Sequence, residues 1–180
     1  MKKIFAYLFS LGMLLVCCSC TLNNNNSVQF SDKYLAGVSS GGGYGKYNFW
    51  NDLPTEYRIC YDGTVEVYMP VVENMEKKDY SLAGSYQLTD EETQSLLKII
   101  NQKKLYKLDP KLDKDACDAE SKYIILYDEN DEELKKCGGY CPTNKDFNEM
   151  YKAIKDNFHL EEHKSIREAW IEKQKKANGQ

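Results

Sequence analysis

The chain has 180 residues, and its 24 Lys and Arg against 28 Asp and Glu give a formal net charge of −4. This length suits one domain built around a single hydrophobic core. The acidic balance argues against nucleic acid as a partner, because nucleic-acid binding depends on clustered Lys and Arg side chains.

The amino terminus has the pattern of an export signal. Lys2 and Lys3 form a positively charged start, and an apolar run of 13 residues then extends from Ile4 to Val16. A membrane-spanning helix needs about 20 apolar residues, and an asparagine tract at 23–26 follows this run closely. The pattern therefore predicts a signal peptide, residues 1–19, that is cleaved from the mature protein.

Residues 14–20, Leu-Leu-Val-Cys-Cys-Ser-Cys, resemble the lipobox of bacterial lipoproteins. In that family a small residue precedes a cysteine that is acylated on sulfur before cleavage. The resemblance implies lipidation of Cys20, which follows Ser19, with Cys18 as the alternative site. It also implies a domain outside the cytoplasm, held by its lipid at the cell membrane or outer membrane. Cleavage before Cys20 removes two basic residues and no acidic ones, which would make the net charge −6.

Residues 20–48 are rich in Asn, Ser and Gly. Such a composition buries too little apolar surface to offset the entropy lost on ordering, so it predicts a flexible tether. A single α+β domain is then expected over residues 49–180.

The first predicted element of this domain is a β-hairpin around Asp62-Gly63, between residues 57–61 and 64–69. A two-residue loop would mix apolar and charged side chains on both faces. A three-residue loop segregates them, and it places Gly63 where the turn requires a left-handed backbone. In that register the expected cross-strand pairs are Ile59 with Val65, Tyr57 with Val67, and Arg58 with Glu66.

The remaining elements alternate between strands and helices. A short strand is predicted over 83–88. Thr89 and Glu92 follow it with the spacing of a capping box, which predicts the start of a helix that ends near Lys104. An extended segment over 105–108 and a second hairpin, with strands over 123–127 and 134–137, follow. A second helix carries an apolar stripe. Its members are Phe147, Met150, Tyr151, Ile154 and Phe158.

The segment from about 161 to 176 is helical in propensity but mostly charged, so we expect a third helix that packs loosely or projects. The element order predicts an α+β fold with an antiparallel sheet of about five strands, in two hairpins plus one strand. The two amphipathic helices should lie on one face. This layout also resembles small envelope lipoprotein domains of unknown function, a similarity that carries no catalytic motif.

Four further cysteines, in an oxidising compartment, suggest disulfides with three possible pairings. Cys117 and Cys141 both fall near the open end of the second hairpin, so we expect them to pair. This leaves Cys60 to pair with Cys137.

Residues 159–163, His-Leu-Glu-Glu-His, match a zinc-protease motif in which two histidines bind zinc and a glutamate activates water. The metal hypothesis would use His159, Glu162 and His163. Such a site needs a third protein ligand. Charged residues are so frequent in this segment that the match to the motif is better explained by coincidence. A solvated helix junction is the favoured interpretation, and no metal or other cofactor is expected.

Tyrosine is the one compositional excess, with 14 residues. Tyr combines stacking area with a polar tip, which suits glycan or protein recognition, although it is also a good strand former. The leading hypothesis is a non-enzymatic envelope lipoprotein that binds a protein or glycan on the sheet face left free by helices. A zinc hydrolase is the alternative, and a purely structural envelope protein is the third hypothesis. The candidate binding residues are Tyr57, Tyr61, Tyr68, Tyr123 and Tyr127.

Overall fold

A computed structural model describes residues 28–41, 49–50, 52–113 and 121–180. The predicted signal peptide, both candidate lipidation cysteines and Cys117 lie outside these residues. The described chain has an α+β fold with six strands and four helices. The strands are β1 (Tyr34–Gly41), β2 (Thr55–Cys60), β3 (Thr64–Glu73), β4 (Glu76–Gln87), β5 (Ser121–Tyr127) and β6 (Glu133–Tyr140). The helices are α1 (Asp90–Ile99), α2 (Gln102–Lys107), α3 (Lys145–Asp156) and α4 (Leu160–Ala177).

The strands form one antiparallel sheet in the order β4-β3-β2-β1-β5-β6. The first predicted hairpin is confirmed, because Ile59 lies opposite Val65 and Arg58 lies opposite Glu66. Gly63 adopts a φ of +85°, the left-handed conformation that the turn requires.

The sheet has six strands where about five were predicted, and the extra strand is β1. It lies between β2 and β5 at the centre of the sheet, so the prediction of a flexible tether was wrong for residues 34–41. The Asn- and Gly-rich surroundings concealed a short apolar stretch in which Leu35, Ala36 and Val38 are buried. This strand joins the two predicted hairpins into one sheet.

The main core lies on one side of the sheet, here called the inner face, where the helices pack. Side chains of Ala36 and Ile59 from the sheet meet Leu96, Phe147 and Ile154 from the helices. The prediction that both amphipathic helices cover one face is confirmed. Among the described residues, no helix has both the length and the apolar content that crossing a bilayer demands.

The helix boundaries agree only partly with the predictions. The capping box of Thr89 and Glu92 is present, and the apolar stripe of α3 is buried. The first helix ends at Ile99, however, and residues 102–107 form the separate helix α2 instead of an extended segment. Asn101 explains this break, because its side chain accepts a hydrogen bond from the Lys104 amide and so begins a new helix.

The C-terminal helix α4 packs tightly, which contradicts the expectation of a loose or projecting helix. Gln174 is buried and accepts a hydrogen bond from the Val72 amide at 3.0 Å. The Trp170 Nε1–H donates to the Pro70 carbonyl at 3.1 Å. On the side of β3 that faces β2, the residues after Met69 have no described strand partner, because β2 begins only at Thr55. Side chains of α4 form hydrogen bonds with the backbone of these residues instead.

Candidate functional site

The side of the sheet away from the helices is here called the outer face. Its centre carries a group of interacting tyrosine, arginine and glutamate side chains, here called the outer-face cluster. Strand pairing places Arg58 of β2 between Gly37 of β1 and Glu66 of β3. The members of the cluster are Tyr34, Glu56, Arg58, Glu66, Tyr68 and Tyr127.

Tyr127 lies flat across β1 and forms the floor of the cluster. It starts on β5, passes over Gly37 and donates its hydroxyl hydrogen to Glu56 Oε1 at 3.0 Å. Only glycine permits this path, because a Cβ atom on residue 37 would lie 2.1 Å from the Tyr127 hydroxyl oxygen. Burial and the adjacent Glu56 carboxylate raise the pKa of the Tyr127 hydroxyl, which therefore remains a hydrogen-bond donor.

Arg58 lies above this floor, and aromatic rings surround its guanidinium. The guanidinium carbon is 4.2 Å from the ring centre of Tyr68, 4.9 Å from that of Tyr127 and 5.5 Å from that of Tyr34. Its Nε–H donates to Glu56 Oε1 at 2.8 Å. Cation–π contacts and the ion pair together hold the Arg58 side chain in one position.

Glu66 forms the second charged centre of the cluster. Its Oε2 accepts hydrogen bonds from the hydroxyls of Tyr34 at 2.8 Å and Tyr68 at 3.0 Å. Lys33 Nζ contacts Oε1 at 2.9 Å. Burial opposes ionisation, but the hydrogen bonds from Lys33 and the two tyrosines outweigh it and lower the pKa of Glu66. The carboxylate is therefore charged at neutral pH.

Two exposed side chains extend the cluster onto β4. Leu82 lies opposite Tyr68 and is 50% exposed, and Tyr80 is 44% exposed. Tyr80 is also close enough to Glu56 that the carboxylate, after burial, raises the pKa of its hydroxyl. The outer face thus presents accessible aromatic and aliphatic surface beside the Arg58–Glu56 ion pair.

A shallow pocket of about 240 Å³ adjoins the cluster at the end of β2. Glu66 of the cluster lines the pocket together with its ion-pair partner Lys33, and Asp32 and Asp62 contribute further carboxylates. Cys60 also lines the pocket, but burial raises the pKa of its thiol to about 11. The thiol is protonated at neutral pH and is a weak nucleophile.

The five predicted tyrosines divide between the two faces. Tyr68 and Tyr127 belong to the cluster, and Tyr123 lies on the same outer face with Lys136 4.7 Å from its ring centre. Tyr57 lies on the inner face, where it stacks on the imidazole ring of His163, so it is not on the face that was proposed for binding. The Tyr61 hydroxyl donates a hydrogen bond to Gln102 of α2 at 3.0 Å, and Tyr61 lines the adjoining pocket.

Sequence reasoning missed Tyr34, because it falls in the segment that was assigned to the tether. The charged members of the cluster were not proposed as site residues either. The confirmed register did place Arg58 opposite Glu66 on one face, and this was the signal that could have identified them.

The predicted disulfide between Cys60 and Cys137 is wrong. Both thiols are free, and they lie on opposite sides of the sheet, Cys60 with Tyr127 and Cys137 in the main core. Cys141 forms no disulfide with another described cysteine. Its predicted partner, Cys117, lies outside that part, so this pairing stays a prediction.

The two histidines of the zinc motif have separate partners. His159 precedes α4 and its Nε2 contacts Glu92 of α1 at 3.0 Å, whereas Glu162 lies 3.8 Å from the Nδ1 atom. His163 is buried, and its Nε2 is hydrogen-bonded to the Tyr86 hydroxyl. In the part of the chain that the structure describes, no three His, Cys, Asp or Glu side chains are grouped so that they could hold a metal ion.

The arrangement of the outer face suits ligand binding, since fixed hydrogen-bonding groups lie next to exposed aromatic surface. Comparisons with protein-family models, with curated proteins and with solved structures found no match to this chain.

Proposed function

We propose that this chain is a lipid-anchored protein of the cell envelope whose folded domain is a non-enzymatic binding module. In this proposal the signal peptide is removed, Cys20 carries the lipid, and the domain lies outside the cytoplasm. The outer-face cluster, with Tyr80 and Leu82, is the surface that contacts a protein or glycan partner.

Support for the anchor comes from residues 14–20, in which an apolar run and a small residue precede a cysteine. The first strand of the sheet lies close to Cys20 in the sequence, because β1 starts at Tyr34. Only 13 residues therefore separate Cys20 from the sheet. The proposed binding surface would work close to the membrane.

The observation that carries the binding role is the exposure of Tyr80 and Leu82 beside the Arg58–Glu56 ion pair. Exposed apolar surface edged by polar groups often marks an interaction site. Tyrosine and arginine are also enriched at the centres of interfaces. The described helices all pack on the inner face, so none of them covers the outer face.

Anchoring is tested by labelling bacteria that express the full chain with radioactive palmitate and separating their membranes. We expect label on the wild-type protein and a membrane location. The Cys18→Ser/Cys20→Ser variant should lose the label and leave the membrane fraction. An unlabelled wild-type protein, or a double variant that stays in the membrane, would contradict the proposed anchor.

Binding is tested by crosslinking the lipidated protein in intact envelopes and comparing the captured material between variants. We expect the Tyr80→Ala/Leu82→Ser variant to lose a crosslinked partner that the wild type retains. The control is Tyr106→Ala, because Tyr106 is similarly exposed, at 37%, but belongs to α2. A capture pattern that is identical for all three proteins would contradict the proposed surface.

A further inference from the structure

The charges of the outer-face cluster cancel in pairs. Arg58 Nε lies 2.8 Å from Glu56, and Lys33 Nζ lies 2.9 Å from Glu66. An anionic ligand that approached Arg58 would meet the Glu56 carboxylate, and a cationic ligand at Glu56 would meet the guanidinium. This balance disfavours ligands with a net charge.

The same groups retain hydrogen-bonding capacity of both kinds. The two hydrogen bonds to Glu56, from Arg58 and Tyr127, both reach Oε1, and Oε2 accepts none from the described residues. A guanidinium has five N–H donors, and only the Nε–H of Arg58 bonds to this carboxylate. The hydroxyl of Tyr80 also has no hydrogen-bond partner within the described chain. The surface can therefore donate and accept hydrogen bonds within a small area.

Aromatic surface lies next to these donors and acceptors. Tyr80 is 44% exposed and Leu82 is 50% exposed. Tyr68 lies between Leu82 of β4 and Glu56 of β2 in the strand pairing, so this exposed surface adjoins the ion pair. A sugar ring has hydroxyl groups that both donate and accept at its edge, and apolar C–H groups on its faces. Its faces can stack on tyrosine while its hydroxyls bond to the ion pair.

An extended peptide fits this surface less well. Peptides often bind by adding a strand to a sheet edge, where backbone groups are unpaired. Here Arg58 and Tyr68 lie on strands with neighbours on both sides, whereas Tyr80 and Leu82 lie on β4 at the edge of the sheet. A peptide strand added beside β4 would be separated from Arg58 and Glu56 on β2 by two strands, so it would leave their donors and acceptors unused. We infer that the outer face binds an uncharged carbohydrate, an inference that rests on the proposed function and specifies its partner.

The test measures binding of the purified, lipidated full chain in detergent to immobilised oligosaccharides. One set contains neutral gluco-, galacto- and manno-oligosaccharides, a second set contains uronates of matched length, and a third contains unrelated peptides. We expect binding to members of the neutral set. Tyr80→Ala should weaken it about tenfold, the effect expected from losing one aromatic contact, while Tyr106→Ala should bind as the wild type does.

A second variant tests the charge argument directly. Glu56→Gln keeps an acceptor for Arg58 and Tyr127 but leaves the guanidinium without a counter-charge. The ratio of uronate to neutral binding should rise roughly threefold, as expected for one partly exposed charge. Circular dichroism and urea unfolding of each variant show whether it has folded, so that loss of binding is not confused with loss of structure.

The outcomes separate the two proposals. A wild-type preference for uronates or peptides that depends on Tyr80 would overturn the carbohydrate inference and leave the proposed binding surface standing. Neutral binding that is unaffected by Tyr80→Ala and Glu56→Gln would also overturn the inference. No binding to any set, together with no Tyr80-dependent crosslink in envelopes, would overturn both proposals.

Discussion

Replacing His163 with phenylalanine removes an ionisable group from the core, and we expect it to abolish one pH-dependent part of the protein's stability. His163 lies among three aromatic rings, stacked on Tyr57 with the ring centres 4.3 Å apart and in contact with Tyr86 and Phe158. Burial, followed by the nearby positive charge of Lys155, lowers the pKa of His163 to about 4.

The direction of the effect follows from this depressed pKa. In the folded state His163 stays neutral down to pH of about 4, whereas in the unfolded state it takes up a proton below its usual value of 6.5. Its contribution to stability is therefore fully present above pH 6.5 and falls as the pH decreases towards 4. The two pKa values give a loss of about 2 kcal/mol between pH 7 and pH 5.

The assay is urea unfolding at pH 7 and pH 5, followed by tryptophan fluorescence, for the wild type and His163→Phe. The variant also leaves the Tyr86 hydroxyl without its partner, but that cost is the same at both pH values. The difference in unfolding free energy between the two proteins should therefore shift by about 2 kcal/mol, in favour of the variant at pH 5.

His159→Gln is the matched control, because His159 and His163 are the only histidines among the 180 residues. His159 is less buried and pairs with Glu92. His159→Gln should therefore keep the part of the pH dependence that His163 produces. If His163→Phe and the wild type lose equal stability between pH 7 and pH 5, His163 is not buried as described and the reasoning is refuted.

Three further variants test packing, and urea unfolding at pH 7 measures each of them. Gly37→Ala should destabilise the protein by about 1–3 kcal/mol, because its Cβ atom would collide with the Tyr127 hydroxyl. Met75→Gly should stabilise it by about 0.5–1 kcal/mol, because Met75 adopts a φ of +63° that glycine tolerates better. Gln174→Leu should cost about 1–3 kcal/mol, because it leaves the buried Val72 amide without an acceptor.

Two of these variants have a control variant, and the third has a stated contradicting outcome. Adding Tyr127→Phe to Gly37→Ala should recover part of the lost stability, since the colliding oxygen is gone; no recovery would contradict the collision. Gln174→Glu keeps an acceptor for the amide and should cost less than the leucine variant. Stability of Met75→Gly at or below that of the wild type would show that the turn is not strained.

Local sequence patterns predicted the elements that short-range physics controls. The register of the β2–β3 hairpin followed from segregating Ile59 and Val65 from Arg58 and Glu66, because a shift by one residue would exchange the two faces. The capping box of α1 and the apolar stripe of α3 were equally local signals. Each depends on residues only a few positions apart.

The errors arose where distant contacts decide the structure. β1 lies in a segment rich in Asn, Ser and Gly, and it is held by hydrogen bonds to β2 and β5 on either side. The charged composition of α4 predicts loose packing. Its Gln174 and Trp170 are nevertheless buried, because the unpaired backbone of β3 supplies polar partners for them.

The candidate site shows the same division. Alternation along β2 and β3 was sufficient to place Arg58 and Glu66 together on one side of a hairpin. Tyr127 is 69 positions after Arg58 in the sequence. Its ring reaches the pair only because Gly37, on the strand between β5 and β2, has no side chain in the way. No local pattern encodes such an approach.

The sequence by itself determined the α+β class, the starts of α1 and α3, the hairpin register and the expectation of a lipid anchor, because neighbouring residues carry those signals. Only the tertiary structure decided that residues 34–41 complete the sheet, that Cys60 and Cys137 face opposite ways, and that three tyrosines enclose Arg58. Those features depend on which distant segments pack together, and that choice is made by burial and backbone pairing across the whole sheet.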